Sequence, residues 1–101
     1  MKLYLRKVDH PQVVNNYRVI LKTETEEFEI GSIGVQTFTS QDIAWLWGID
    51  TVIPMREIES EGRCSDRRDC MTKFERAWKS FAWDRGRLEE FLNAKRRSRR
   101  G

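Results

Sequence analysis

The stretch IAWLWGIDTVIP, residues 43–54, decides the fold because it combines strict alternation with two tryptophans. Alternation with a period of two is typical of a β-strand with one buried face. Pro54 ends the strand, since proline has no N–H to donate to a neighbouring strand. A face with two indoles must be covered, so the sequence predicts a second layer over this strand. The apolar face carries Trp45, Trp47, Ile49, Thr51 and Ile53.

The residues before this stretch are predicted to form further strands. Two runs alternate in the same way, YRVILKT at residues 17–23 and EFEIGSIGVQTF at residues 27–38. Gly31 and Gly34 interrupt the second run, which indicates a bulge or a close approach by another backbone. KLYLRKV at residues 2–8 is a candidate edge strand. We therefore expect a three- or four-stranded antiparallel sheet.

The period changes after a charged connection at residues 55–63. Asp66 fits the N-cap of a helix, and Asp69 lies three positions on. Asp84 is placed to cap a second, shorter helix. The predicted fold class is α+β, with one long and one short C-terminal helix packed on the tryptophan face of the sheet. The apolar residues of the first helix recur every three or four positions and therefore share one face. This apolar stripe consists of Cys70, Phe74, Ala77, Trp78, Phe81 and Ala82.

Positive charge is concentrated at the end of the sequence. The net charge is +3, but KRRSRR at residues 95–100 contributes five cations. Without them, 14 basic and 16 acidic residues remain in residues 1–94, a net charge of −2. We predict one α+β domain at residues 1–94 and a basic, disordered tail at residues 95–101. The tail would bind nucleic acid non-specifically and in a salt-sensitive way, through Lys95, Arg96, Arg97, Arg99 and Arg100.

Cys64 and Cys70 admit three interpretations: metal ligands, a redox pair, or small packing residues. A structural zinc site needs about four ligands, and His10 is the only histidine. A redox pair usually has the spacing C-x-x-C, which these two cysteines lack. The spacing favours the third interpretation, with Cys70 buried in the helix stripe and Cys64 in the loop before it. Neither a metal nor another cofactor is expected.

The sequence predicts a cytoplasmic protein without a membrane partner. No apolar run approaches the roughly 20 residues that cross a bilayer. The first ten residues, MKLYLRKVDH, carry Arg6, Lys7 and Asp9 and lack the pattern of a signal peptide. In the cytoplasm, thiols stay reduced.

Much of the chain resembles a group of short uncharacterised bacterial proteins. These have a Trp-x-Trp strand, a glycine loop, and a capped helix with an aromatic stripe. Alanine is usual in that group where Cys64 and Cys70 stand, which favours a packing role for both. The resemblance implies the fold and no activity. The matching pieces are Trp45-Leu46-Trp47, Gly62, Asp66, Cys70-Met71, Phe74, Trp78 and RLEEFLNAKRR at residues 87–97.

A looser resemblance is to DNA-binding modules of three strands and one helix, which read the major groove with a basic sheet face. The corresponding face here would show Glu27, Glu29 and Asp50 beside Arg18 and Lys22. A mixed or acidic face does not suit phosphate, so this mode of DNA binding is not expected.

No set of catalytic residues is evident. A single histidine makes a Ser-His-Asp set improbable, and GSIG at residues 31–34 is too short for a nucleotide-binding fingerprint. Asp50 is the one candidate acid or base, and its alternative role is an ion pair with Arg18. We predict a non-catalytic binding or regulatory module without a small-molecule substrate. Its first candidate partner is nucleic acid; the alternative is a protein or a second copy of the chain, bound by exposed aromatic surface at Trp83.

Overall fold

Five antiparallel strands form one sheet, and two helices follow them. The computed structural model describes residues 1–9, 15–37 and 43–100. The strands lie side by side in chain order. The α+β class and the antiparallel sheet that the sequence predicts are confirmed. The elements are β1 Lys2–Lys7, β2 Asn16–Lys22, β3 Glu27–Thr37, β4 Ile43–Ile49, β5 Glu61–Cys64, α1 Arg67–Ala82 and α2 Arg85–Arg100.

The number of strands and the length of the second helix differ from the prediction. The sheet has five strands rather than three or four, because the first three residues of β5 lie in the stretch expected to be a charged connection. Its four residues pair with residues 45–48 of β4, whose free edge supplies backbone partners that a weakly strand-forming sequence can use. β4 ends at Ile49, so Thr51 and Ile53 lie beyond it. α2 has 16 residues, as many as α1, and is not short.

The last residues continue α2 where a disordered tail is expected. α2 runs to Arg100, and Gly101 lies outside the described residues. Lys95 and Arg96 are half-buried, because their side chains pair with Asp50 and Glu26, which lie just outside the strands. Residue 94 is therefore not a structural boundary within the helix.

α1 covers the tryptophan face through the stripe that the sequence predicts. Trp47 of β4 meets Phe74 edge to face, with ring centroids 6.1 Å apart. Phe91 of α2 packs on Trp78 and Phe81 of α1, at centroid distances of 5.2 and 5.8 Å. The two helices and one face of the sheet thus share a single core. The sheet contributes buried Val19, Leu21, Phe28, Ile30, Ile33, Trp47 and Ile49.

Both helices begin at the aspartates that the sequence predicts. Asp66 accepts a hydrogen bond from the backbone N–H of Asp69 at 2.7 Å. The Asp69 carboxylate accepts from the backbone N–H of Ser65 at 2.9 Å, so two donors at the helix start are satisfied. Asp84 accepts from the backbone N–H of Arg87 at 3.2 Å. Local capping rules therefore located both helix starts.

Gly31 shows both features that the interrupted alternation predicts. The register shifts beside it, since Val19 of β2 pairs with Gly31 and Ile20 pairs with Glu29. A Cβ atom at Gly31 would overlap the carbonyl oxygen of Gly48 and would lie 2.7 Å from Cζ of Phe74. The missing side chain thus lets the Phe74 ring lie directly on the sheet backbone.

Cys64 and Cys70 are joined by a disulfide, and the prediction of two separate packing thiols is wrong. Cys64 ends β5 instead of lying in a loop, which brings it over the first turn of α1. The two Cα atoms are 5.2 Å apart, within the range that a disulfide spans. Cys70 is buried, as expected. The described residues hold no cluster of three metal-ligating side chains, and His10 lies outside them.

Reducing this disulfide is expected to lower the free energy of unfolding by about 2 kcal/mol, the chain-entropy value for so short a loop. The two cysteines are 6 residues apart in sequence, and reduction enlarges the unfolded ensemble. Urea unfolding with and without reductant measures the change. Cys64→Ser is the control, because its midpoint should not respond to reductant. An unchanged wild-type midpoint, with both thiols shown to be free, would contradict the prediction.

Candidate functional site

Asp50 fastens α2 to the sheet. Its Oδ2 lies 2.5 Å from a guanidinium nitrogen of Arg18 on β2 and 2.5 Å from Nζ of Lys95 on α2. All three side chains are largely shielded from solvent. Because Asp50 directly follows β4, one carboxylate connects two strands and a helix. The ion pair with Arg18 is the structural role that the sequence offered for Asp50.

The electrostatic environment keeps Asp50 ionised. Burial works to raise its pKa, but the hydrogen bonds and positive charges of Arg18 and Lys95 outweigh burial, so the pKa lies below its usual value. Asp50 is therefore an anion at neutral pH. A carboxyl group that holds no proton at neutral pH is not a general acid there. Oδ1 and Oδ2 both accept hydrogen bonds from Arg18, and Oδ2 also accepts one from Lys95, so the geometry around Asp50 is that of a structural ion-pair cluster.

Asp50→Asn is expected to lower the free energy of unfolding at pH 7 by about 2 kcal/mol, because Arg18 and Lys95 lose their anion. A carboxyl whose pKa is lower in the folded state stabilises the fold above its unfolded pKa and loses that contribution as the pH falls through its folded pKa. The difference between wild type and variant should therefore stay constant down to about pH 5 and shrink below it.

Urea titrations between neutral and acid pH measure this difference. Glu29→Gln is the control, since Glu29 lies 3.9 Å from Arg18 and its side chain is 56% exposed. That variant should change stability by no more than about 0.5 kcal/mol. A difference for Asp50→Asn that grows as the pH falls would contradict the ion pairs.

Glu26 holds the last turns of α2 against the β2–β3 connection. Its carboxylate lies 2.8 Å from Arg96 and 3.6 Å from Arg99. The hydrogen bond from Arg96 holds the pKa of Glu26 below its usual value. Arg99 also donates to the backbone carbonyl oxygen of Glu27. The guanidiniums of Arg99 and Arg96 lie 4.5 and 5.4 Å from the ring centroid of buried Phe28, so both cations cover that ring.

Three of the five predicted phosphate-binding residues thus have an anion of the same chain as partner: Lys95, Arg96 and Arg99. Arg97 is exposed and forms no ion pair within the described residues. The side chain of Arg100 lies outside the described part of the chain. A phosphate would have to compete with Asp50 and Glu26 for the paired cations. The segment therefore offers less free charge than its sequence indicates.

Trp83, the remaining predicted site residue, is 89% exposed. It directly follows α1, and its backbone N–H donates to the carbonyl oxygen of Lys79 at 3.1 Å. Asp84 comes next and caps α2, so the chain turns here from one helix to the other. The stripe of α1 that packs on the sheet ends at Phe81 and Ala82. A large apolar ring at this junction is therefore left in water.

Trp83 lines an apolar groove of about 610 Å3 between β1 and α1, which we name the Trp83 groove. The groove exists because α1 lies over β3, β4 and β5 and leaves β1 at the margin of the sheet. Leu3 and Leu5 of β1 remain only partly buried for this reason. The lining consists of apolar Met1, Leu3, Leu21, Trp78, Ala82 and Trp83, with charged Lys2, Glu75 and Lys79.

A second groove, of about 480 Å3, lies between β5 and α1. Glu57 and Glu59 line it together with Arg63, Lys73 and Arg76, so both charge signs are present. Its largest apolar residue is Trp47, which is 6% exposed and belongs to the core. The Trp83 groove is the stronger candidate site, because it alone of the two combines an apolar lining with an exposed aromatic ring.

The sequence identified Trp83 but missed the residues of β1 that share its groove, Lys2 and Leu3. A signal for them was present, since KLYLRK alternates and all its charged residues are cations. What the sequence did not show is that this strand lies beside the end of α1.

No helix in the described part of the chain is long and apolar enough to cross a membrane. Comparisons with protein-family models, with curated proteins and with solved structures return no match to this chain.

Proposed function

We propose that this protein is a non-catalytic binding module that takes a protein partner in the Trp83 groove. The observation that carries the proposal is the 89% exposure of Trp83 beside an apolar groove. Tryptophan is enriched among the residues that dominate the binding energy of protein interfaces, and a partner would bury its ring. Met1, 73% exposed, extends the same apolar surface.

Nucleic acid bound by the C-terminal cations is the second candidate. The exposed position of Arg97 supports it. The ion pairs of Lys95, Arg96 and Arg99 weigh against it, because phosphate must compete with carboxylates that already hold these cations. Affinity by this route should be lower than that of a free run of five cations.

Site-specific photo-crosslinking distinguishes the two candidates. p-Benzoylphenylalanine replaces Trp83 in one full-length variant and Arg97 in another, and both are irradiated in the native cell. We expect adducts at position 83 that protease removes and nuclease does not. Position 97 is the matched exposed control and should give no protein adduct.

Nuclease-sensitive adducts at position 97, with no protein adduct at position 83, would overturn the protein-partner proposal in favour of nucleic acid. Adducts at position 83 with twice the mass of the chain would identify the partner as a second copy. No adduct at either position, from variants that retain the wild-type melting temperature, would reject both candidates.

A further inference from the structure

We infer that the partner presents an acidic, extended segment that pairs with the open edge of β1 and places apolar side chains in the Trp83 groove. The inference rests on the proposed function and specifies the chemistry of the partner. It follows from the backbone of β1, from its charges and from the alternation of its side chains.

β1 offers unpaired backbone groups to a partner. It is an outermost strand, and no other described strand pairs with its outer edge. The N–H of Val8 donates to the carbonyl oxygen of Asn16 at 2.8 Å, which sets the phase of the β1–β2 ladder. In an antiparallel pair, the backbone N–H and C=O groups of alternate residues point toward the partner strand and away from it. Those of Leu3, Leu5 and Lys7 therefore point away from β2. An edge of this kind can accept an added strand.

The charge of this edge selects against self-pairing. The charged residues of β1 are all cations, namely Lys2, Arg6 and Lys7. β2 increases the positive charge, because Lys2 lies opposite Lys22 and Arg6 lies opposite Arg18. Like charges directly opposite each other destabilise a strand pair. A second copy of β1 would add three more cations, whereas an acidic strand would compensate those already present.

Acidic residues of the same chain neutralise only part of this positive charge. Glu27 lies 3.0 Å from Arg6, and Asp50 lies 2.5 Å from Arg18. Lys2 is exposed and forms no ion pair within the described residues. Lys2, at the first position of β1, borders the Trp83 groove although its side chain projects from the other face of the sheet, and Lys79 and Glu75 of α1 line the groove from the helix. Positive charge without an acidic partner among the described residues therefore lies beside the edge of β1, where the proposed partner would bind.

The alternation of β1 specifies the side chains of the partner. Leu3 and Leu5 project toward the core, so Lys2, Tyr4 and Arg6 project from the opposite face of the sheet. An added strand has the same alternation. Its side chains on one face would meet Lys2 and Arg6, and those on the other face would meet Leu3, Leu5 and the groove. The fitting segment therefore alternates acidic and apolar residues.

Fluorescence anisotropy with synthetic peptides tests this chemistry on the full chain. The probe is a fluorescein-labelled peptide of alternating glutamate and valine, and the control is the matched lysine–valine peptide. We expect the glutamate–valine peptide to bind at least about tenfold more tightly. A second control carries N-methyl groups on the amides that would face β1. It keeps the charges and side chains but cannot donate to the strand, so we expect at least about a tenfold loss of affinity.

Two variants locate the binding site. Lys2→Glu and Trp83→Ala should each weaken binding of the glutamate–valine peptide by about tenfold. Arg97→Glu makes the same charge change as Lys2→Glu outside the groove and should alter the affinity by no more than about twofold. All three residues are exposed, so melting temperatures should stay close to wild type and confirm that each variant is folded.

Equal binding of the two unmodified peptides, or of the methylated and parent peptides, would overturn the inference. Displacement of the glutamate–valine peptide by a single-stranded oligonucleotide of equal charge would also overturn the inference. Binding would then depend on negative charge and not on an added peptide strand. A dimer in sedimentation velocity that the peptide does not dissociate would assign the edge to a second copy. If the peptides do not bind but position 83 gives nuclease-resistant protein adducts, only the acidic extended segment is rejected. If position 83 also gives no protein adduct, the proposed function is rejected as well.

Discussion

Phe74→Ala is expected to lower the free energy of unfolding by about 4 kcal/mol. The Phe74 ring is fully buried and lies between Trp47 and the backbone at Gly31. Alanine would remove the ring and leave a cavity, because a strand backbone cannot collapse into the space. Urea titration followed by circular dichroism measures the loss.

Two further substitutions make this result interpretable. Phe74→Leu retains part of the buried volume and should lose less stability, so it remains measurable if the alanine variant does not fold. Thr72→Ala, at an exposed position of the same helix, should change stability by no more than about 0.5 kcal/mol. A loss below about 1 kcal/mol for Phe74→Ala would mean that α1 does not pack on the tryptophan face.

Gly31→Ala is expected to lower the free energy of unfolding by about 3 kcal/mol, although it adds a single methyl group. The new Cβ would overlap the carbonyl oxygen of Gly48 and crowd the ring of Phe74. The first of these neighbours is backbone and the second is fixed in the core, so neither can move cheaply. Thermal and urea unfolding of the variant measure the effect.

Gly48→Ala is the matched control on the adjacent strand. A Cβ there would find its nearest neighbours at 3.7 and 3.8 Å, which is ordinary van der Waals contact. Alanine also restricts the unfolded chain, so the change should stay within about 1 kcal/mol in either direction. Equal losses at Gly31 and Gly48 would contradict the close approach of α1 to Gly31.

Features set by neighbours in sequence could be predicted. Cys70, Phe74, Trp78 and Phe81 recur at helical spacing, and their spacing alone shows which side of α1 is buried. The caps at Asp66 and Asp84 are likewise local, because each side chain bonds a backbone N–H three residues on.

Features that depend on distant segments could not be predicted in this way. The sequence of β5 has no apolar alternation, and it is a strand because the free edge of β4 lies beside it. The disulfide follows from that pairing, since it brings Cys64 to α1. The cations at residues 95–100 are close in sequence, so their mutual repulsion alone predicts a disordered tail. Three of them, Lys95, Arg96 and Arg99, pair with Asp50 and Glu26, which precede them by at least 45 residues, and these ion pairs stabilise the end of the helix.

The candidate site also combines features that are local in sequence with features that depend on distant segments. The position of Trp83 just beyond the end of the stripe indicated from sequence that the residue could be exposed. The groove itself needs Leu3 and Trp78 side by side, and no pattern in either segment relates them. The cationic bias of KLYLRK is visible in the sequence, but it acquires meaning only when β1 is known to be an outermost strand.

The disulfide makes local unfolding different at the two sides of the sheet. β5 cannot leave α1 while Cys64 and Cys70 are bonded, so its amide hydrogens should exchange with solvent in step with those of the helix. β1 has no covalent tie, and its pairing with β2 and the contacts of Leu3 and Leu5 hold it in place. We therefore expect β1 to open more readily than β5, and β1 is the strand that lines the groove of the exposed indole.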